Sequence, residues 1–282
     1  LGCSYNQLTS LDVSNNTALT GLYVQFNSLT ALDVSSNTAL TELHCEVNQL
    51  TVLDVSANTA LNYLDVHENQ LTSLDVSANT ALTGLYCYSN QLTSLDVSAN
   101  TALTYLACYN NQLTSLDVSA NTALTYLMCV GNQLTSLDVS TNTALTHLEC
   151  WQNQLTSLDV SANTDLIYLY CWSNELTSLD VSSNTALTGL HCNDNQLFHL
   201  NMKNGVTDQL TEFDATENDL SCIETLDPDY ATENWTYANG NIDEGVEFSV
   251  LCGGEQVTVN YPNGGETFTE GDQMTIMWDW TG

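Results

Sequence analysis

The sequence predicts an all-β-leaning solenoid: 21-residue rungs stacked into two parallel sheets, with little or no helix and a C-terminal cap. Three observations predict it. The stretch 91–111, QLTSLDVSANTALTYLACYNN, recurs almost letter for letter, so that Leu19, Leu40, Leu61, Leu82, Leu103, Leu124, Leu145, Leu166 and Leu187 fall at one constant interval. A fixed period in this range means that each unit buries its apolar edge against its neighbours. Each unit also holds two half-patterns, LxxLxCxxN and LxxLDVSxN. Their inward residues, as in Leu103, Leu106, Cys108 and Leu113, Leu116, Val118, alternate at strand period. Finally, two strands and two Asn corners in 21 residues leave no room for a helix of about ten residues.

Asparagine marks both corners. One file runs through Asn27, Asn48, Asn69, Asn90 and Asn111 to Asn195, the other through Asn16, Asn37, Asn58, Asn79 and Asn100 to Asn184. A short amide at a buried bend can bond backbone groups of its own rung and the next, which a tight turn leaves unpaired. Between the corners, stacked rungs should lie about 4.8 Å apart.

The string LxxLxCxxNxLxxLDVSxN resembles the leucine-rich repeat, and its nested half-period is similar to the short 21-residue class of secreted and surface proteins of Bacteroidetes. The resemblance covers about residues 1–204 and implies a right-handed horseshoe or rod used for binding. After Asn204 the period breaks. SCIETLDPDYATENW followed by a later Cys is similar to the closing cap of flavobacterial repeat proteins, which implies a capping region over 205–252 and a disulfide between Cys222 and Cys252. From residue 253, QVTVNYPNGGETFTEGDQMTIMWDW gives two alternating strand patterns around an Asn-Gly-Gly turn. It resembles the first strands of an immunoglobulin-like sandwich module. Residues 253–282 are too few to complete that sandwich, so the chain is expected to be part of a larger one.

Charge narrows the function. The 282 residues carry 34 Asp and Glu against one basic side chain, Lys203, for a formal charge of -33. Nucleic acids and anionic membranes need Lys and Arg to replace counterions, so neither is an expected partner. No apolar run approaches the ~18–20 residues that cross a bilayer, and direct membrane insertion is not expected. No nucleophile elbow or phosphate loop appears and the His residues are scattered, so no enzyme is read here.

Two regular files need a structural account. Cys3, Cys45, Cys87, Cys108, Cys129, Cys150, Cys171 and Cys192 share one inward position with Val24 and Val66, which describes a small apolar slot filled by reduced thiols. Asp12, Asp33, Asp54, Asp75, Asp96, Asp117, Asp138, Asp159 and Asp180 point outward among Ser residues. Hydrogen bonding to neighbouring Ser and Thr residues with ionic screening is one compensation for their repulsion; loosely held calcium is the other, and no other cofactor is expected.

The opposite face varies from rung to rung. Its outward positions carry Tyr63, Tyr86, Tyr88, Tyr105, Tyr109, Tyr126, Trp151, Tyr168, Tyr170 and Trp172, a contiguous aromatic surface suited to a protein or to sugar rings. Cross-strand ladders that merely stabilise the sheet are the competing reading. Toward the N-terminus the same face is polar: His44 aligns with Asp65 and Glu46 with His67, a set that can hold a divalent metal or form simple ion pairs. The expected function is therefore a secreted or cell-surface recognition and adhesion module for a protein or glycan, its ligand residues being Tyr86, Tyr88, Tyr105, Tyr109, Tyr126, Trp151, Tyr168, Tyr170 and Trp172. By resemblance, the parent chain is an adhesin exported by type IX secretion and linked to attachment or gliding. The alternative is a structural spacer, a stiff acidic rod within such an adhesin.

Overall fold

The structure, a computed structural model, describes residues 1–253, 256–261 and 277–281. It divides into two compact units, Leu1–Val250 and Leu251–Gly282. In the first unit the half-turn LTxLxC of each repeat forms a three-residue strand: β1 (Gly21–Tyr23), β2 (Glu42–His44), β3 (Tyr63–Asp65), β4 (Gly84–Tyr86), β5 (Tyr105–Ala107), β6 (Tyr126–Met128), β7 (His147–Glu149) and β8 (Tyr168–Tyr170). With β10 (Gly189–His191) and β12 (Glu212–Asp214), these strands make one parallel ten-stranded sheet. Register advances by one repeat per rung, so Leu43 faces Leu64 and Leu64 faces Leu85. Every position of the repeat therefore becomes a straight file across the sheet.

The second sheet is shorter than the sequence predicts. Among the described residues only β9 (Ser178–Asp180), β11 (His199–Met202), β13 (Cys222–Thr225) and β14 (Glu247–Ser249) pair there, in the order β14-β13-β11-β9. In earlier rungs the LDVS half-turn keeps the period-two burial of a strand but forms no ladder. Its Asp side chain closes a turn within its own rung, as where Asp117 Oδ1 accepts from the Ser119 N–H at 2.9 Å, and Asp180 on the paired strand β9 makes the same bond with Ser182 N–H at 2.8 Å. The local bond is thus compatible with either state, and the ladder forms only toward the capped end.

The core is a thin column. Leu103, Leu106, Cys108, Leu113 and Val118 are fully buried, and the same positions are buried in the rungs on either side. Full burial contributes roughly 1.5–3 kcal/mol per Leu or Val side chain. Both Asn files do what their corner positions imply. The Asn111 side chain donates to the carbonyls of Cys87 at 3.1 Å and Cys108 at 3.0 Å while its Oδ1 accepts from Leu92 N–H at 3.0 Å. Asn121 donates to the carbonyls of Val97 and Asn100, each at 2.9 Å.

One backbone feature recurs without a sequence mark. The residue before each variable-side corner Asn is left-handed: Phe26, Val47, Glu68, Ser89, Asn110, Gln152 and Ser173 have φ between 49° and 55°, and Gly131 is the single glycine at this position among them. A β-branched residue is poorly suited to this region. Replacing Val47 by Gly should therefore raise stability by about 1 kcal/mol in chemical denaturation. Gly131→Ala should do the reverse, since an added Cβ would lie 2.5 Å from Asn110 Oδ1.

Past the last regular repeat, a 3₁₀ turn (Thr207–Gln209), the helix α1 (Pro228–Asn234) and a second 3₁₀ turn (Tyr237–Asn239) bring Trp235 onto the end of the column. Trp235 is 5% exposed and its ring lies 4.5 Å from that of Phe213. Pro228 opens α1 and the Asp227 side chain accepts from the Tyr230 N–H at 3.0 Å, which caps the helix. Cys222 and Cys252 are disulfide-bonded. Closing a loop of about 30 residues gives roughly 3–4 kcal/mol in the chain-entropy account, so Cys222→Ser should lower the denaturation midpoint accordingly. In the second unit, β15 (Gln256–Tyr261) and β16 (Met277–Thr281) pair antiparallel. The Asn-Gly-Gly turn expected between them lies outside the described residues.

Candidate functional site

The two sides of the first unit differ in what they present. On the LDVS side, hydrogen bonds from the Ser two residues on, side chain first and backbone second, hold the carboxyls of Asp12, Asp33, Asp54, Asp75, Asp96, Asp117, Asp138 and Asp159 below their ordinary range. The wall is thus a repeated, self-satisfied surface of charge. Inside, Cys45, Cys87, Cys108, Cys129, Cys150, Cys171 and Cys192 are buried free thiols. Burial pushes Cys87 and Cys171 up to about 12, so these sulfurs stay protonated and unreactive.

The sheet of three-residue strands carries the variable positions, and its rings are organised into two columns. In the first, Tyr23, His44, Tyr63, Tyr86, Tyr105, Tyr126, His147 and Tyr168 follow one another with centroid separations of 3.8–5.3 Å, and Tyr170 and His191 continue the run. In the second column, His67, Tyr88 and Tyr109 stack at 4.1 Å per step, and Trp151 stacks on Trp172 at 4.2 Å. Val130 separates the two stacks. Parallel offset stacking is favourable for such rings and holds each side chain in one rotamer.

Glycine keeps the first column continuous. Where the first outward residue of a strand is aromatic, as in Tyr105-Leu-Ala107 or Tyr126-Leu-Met128, its own ring fills the column. Where it is Gly84, the ring of Tyr86 leans across instead, and a Cβ on Gly84 would sit 3.2 Å from that ring and 3.4 Å from Tyr63. Gly21 and Tyr23 make the same arrangement, with 3.1 Å from the would-be Cβ to the ring. At Gly189 the space is taken by Tyr168, 2.6 Å from an added Cβ.

All nine expected ligand residues thus lie on this face. Tyr86, Tyr105, Tyr126, Tyr168 and Tyr170 belong to the first column, and Tyr88, Tyr109, Trp151 and Trp172 to the second. Sequence reasoning missed Tyr23, His147 and His191 as members, although the Gly-Leu-Tyr and Gly-Leu-His triplets at 21–23 and 189–191 mark two of them. The rings are half-buried with their faces against one another, so edges and polar tips are what a partner would meet. Tyr126 Oη bonds His147 Nε2 at 2.8 Å, and Tyr170 Oη donates to Glu212 at 2.6 Å. Burial raises the phenols of Tyr63, Tyr88 and Tyr170 and takes Tyr105 up to about 12; it lowers the imidazoles of His44 and His147. At neutral pH these phenols are neutral donors and these two imidazoles are uncharged.

At the N-terminal end of the face, the structure brings His44, Glu46 and Asp65 together, with donor atoms all within 4.8 Å of one another. This is the group of three such side chains found among the described residues. His67, expected as a fourth ligand, turns its Nδ1 to Asp65 Oδ1 at 2.6 Å and stands beside the group rather than in it. Its ring is held there by stacking on Tyr88.

Among solved structures, the chain is similar to the functional domain of InlJ from Listeria monocytogenes, which includes a cysteine ladder: 41% identity and a TM-score of 0.75 over 79% of this chain and 54% of that one. The fold is a leucine-rich repeat solenoid. The chain spans about half the length of the InlJ domain. An internalin, inlF, from the same organism is 26% identical with a TM-score of 0.66, covering 76% of this chain and 73% of its own. A leucine-rich repeat protein of Leptospira interrogans, 24% identical with a TM-score of 0.69, covers 78% of this chain and 63% of its own and shares the fold. No family model and no curated protein sequence matches the chain. Among the described residues of this repeat solenoid, no helix is long and apolar enough to cross a membrane.

Proposed function

We propose that this leucine-rich repeat chain is an extracellular recognition module that binds a protein through the variable face of its ten-stranded sheet. The observation that carries the reading is the division of labour within each repeat. One half-turn keeps its letters and satisfies its own polar groups, while the other changes its outward residues and aligns ring edges, phenols and carboxylates. Glu42, Glu149 and Glu212 lie among the rings, so a partner rich in Arg can pair with the acids and donate to the phenol oxygens at the ring tips. This combination favours a protein over a glycan. The disulfide at residues 222 and 252 and the likeness to internalins support an extracellular setting. Adhesion is the natural use of such a module within a larger surface chain.

The spacer reading draws on one observation, that stacking already occupies the ring faces. Binding assays separate the two. The immobilised chain is presented with panels of extracellular proteins and of glycans, in parallel with a Trp151→Ala, Trp172→Ala variant and an Asp117→Asn, Asp138→Asn variant of the wall. Specific capture of a protein that the Trp variant loses and the wall variant retains is the expected result. Capture confined to glycans would replace the protein by a sugar, and capture insensitive to the Trp pair would favour the spacer.

A further inference from the structure

We propose that His44, Glu46 and Asp65 form a binding site for one divalent transition-metal ion, with zinc as the reference ion. Glu46 is 6% exposed, yet its Oε2 accepts no hydrogen bond. Asp65 beside it is 7% exposed. Two carboxylates are thus taken out of water side by side, in a chain whose single basic side chain, Lys203, is paired with Glu224. A buried carboxylate oxygen is normally bonded or paired. His67 serves Asp65 but leaves Glu46 Oε2 without a hydrogen bond, so an ion pair between His67 and Asp65 does not complete the cluster.

The donors are arranged for a cation. His44 Nδ1 lies 3.9 Å from Glu46 Oε2. Bonds of about 2.0–2.1 Å would place neighbouring ligand atoms about 3.3 Å apart, which a small rotation of the Glu46 side chain supplies. The His44 ring is fixed between Tyr23 at 4.9 Å and Tyr63 at 4.6 Å. Asp65 Oδ1 receives the His67 Nδ1 at 2.6 Å and the His67 backbone N–H at 3.3 Å, which orients the carboxylate and leaves its other oxygen for the ion. Glu42, on the same strand as His44, is occupied by the Tyr23 hydroxyl. One imidazole nitrogen with two carboxylate oxygens suits zinc and its neighbours rather than calcium, which takes six to eight oxygens. Three protein ligands leave a fourth position for water. His67 is the positioning residue of this set.

Titration calorimetry of the chelator-treated chain with zinc chloride tests the site. One saturable equivalent is expected. Glu46→Gln, Asp65→Asn and His44→Gln should each weaken it by at least about 100-fold, and His67→Gln by about 10–100-fold with stoichiometry kept. Cobalt supplied instead of zinc should give a nitrogen and oxygen ligand spectrum without the intense near-ultraviolet thiolate band, which separates this site from the cysteine file and needs no variant to fold. Absence of a saturable site, a thiolate band at one equivalent, or unchanged affinity in a folded Glu46→Gln chain would overturn the proposal.

Discussion

Replacing Asn111 by Leu should destabilise the solenoid by about 2–4 kcal/mol, a large effect for a side chain that is polar and only 7% exposed. Leu is close to Asn in size, so the loss is not a cavity. It is the removal of one amide that holds three buried backbone groups. Leu92 N–H loses its acceptor outright, while the carbonyls of Cys87 and Cys108 each lose one of two amide donors and keep the other, from Asn90 and Asn132. The orphaned donor costs about 1–3 kcal/mol, and each bond lost from a carbonyl that keeps another donor costs about 0.5 kcal/mol. Because those groups belong to two successive rungs, the damage falls on a rung interface, and repeat arrays are stabilised by their nearest-neighbour interfaces. Chemical denaturation of Asn111→Leu should show either a much lower midpoint or a second transition. Thr101→Leu, at an exposed position of the same repeat, should change stability by no more than about 0.5 kcal/mol.

The second large effect is on binding. Trp151 and Trp172 stack on each other, half-exposed, and Trp151 Nε1 reaches Glu149 at 3.4 Å. Removing a Trp anchor from the centre of a protein interface commonly costs 2 kcal/mol or more, a factor of about 30. The pair is in contact, so the two losses should not simply add, and a combined loss of about 100-fold to 1000-fold is expected. The cost to folding is far smaller, because the stack lies outside the core and contributes about 0.5–1.5 kcal/mol. A variant that stays folded and stops binding separates recognition from stability. The charge of -33 adds a kinetic signature. Association with a basic partner should slow steeply as salt rises, while dissociation changes little.

Much of this was legible in the letters. The spacing of Leu19, Leu40 and their successors gives the rungs, and the two half-patterns give the two sides. The bonds of Asn111 and Asn121 follow from corners that leave backbone groups unpaired. The short second sheet was not legible, because Asp117 on an unpaired half-turn and Asp180 on the paired strand β9 share the letters LDVS and the same Asp-to-Ser turn bond. Nor were the left-handed positions, since Phe26, Val47 and Glu68 are held there by the rungs around them rather than by their own preference. The site was half visible. Register placed His44 opposite Asp65 and named the rings, but the rule that Gly84 yields its place to Tyr86 depends on side-chain direction across a sheet. His67 aligned as a ligand, and only its turn toward Asp65 removed it from the group.

The central claim is that the variable half-turn meets the partner and the LDVS wall does not. Oxidative footprinting of the complex formed with the captured protein reads this directly, residue by residue, in an unmutated chain. Protection is predicted at Trp151, Trp172, Tyr170 and Tyr109, with Leu116, Leu137 and Leu158 on the wall side reacting as in the free chain. Protection of those wall residues, with Trp151 and Trp172 as reactive in the complex as out of it, would contradict the account.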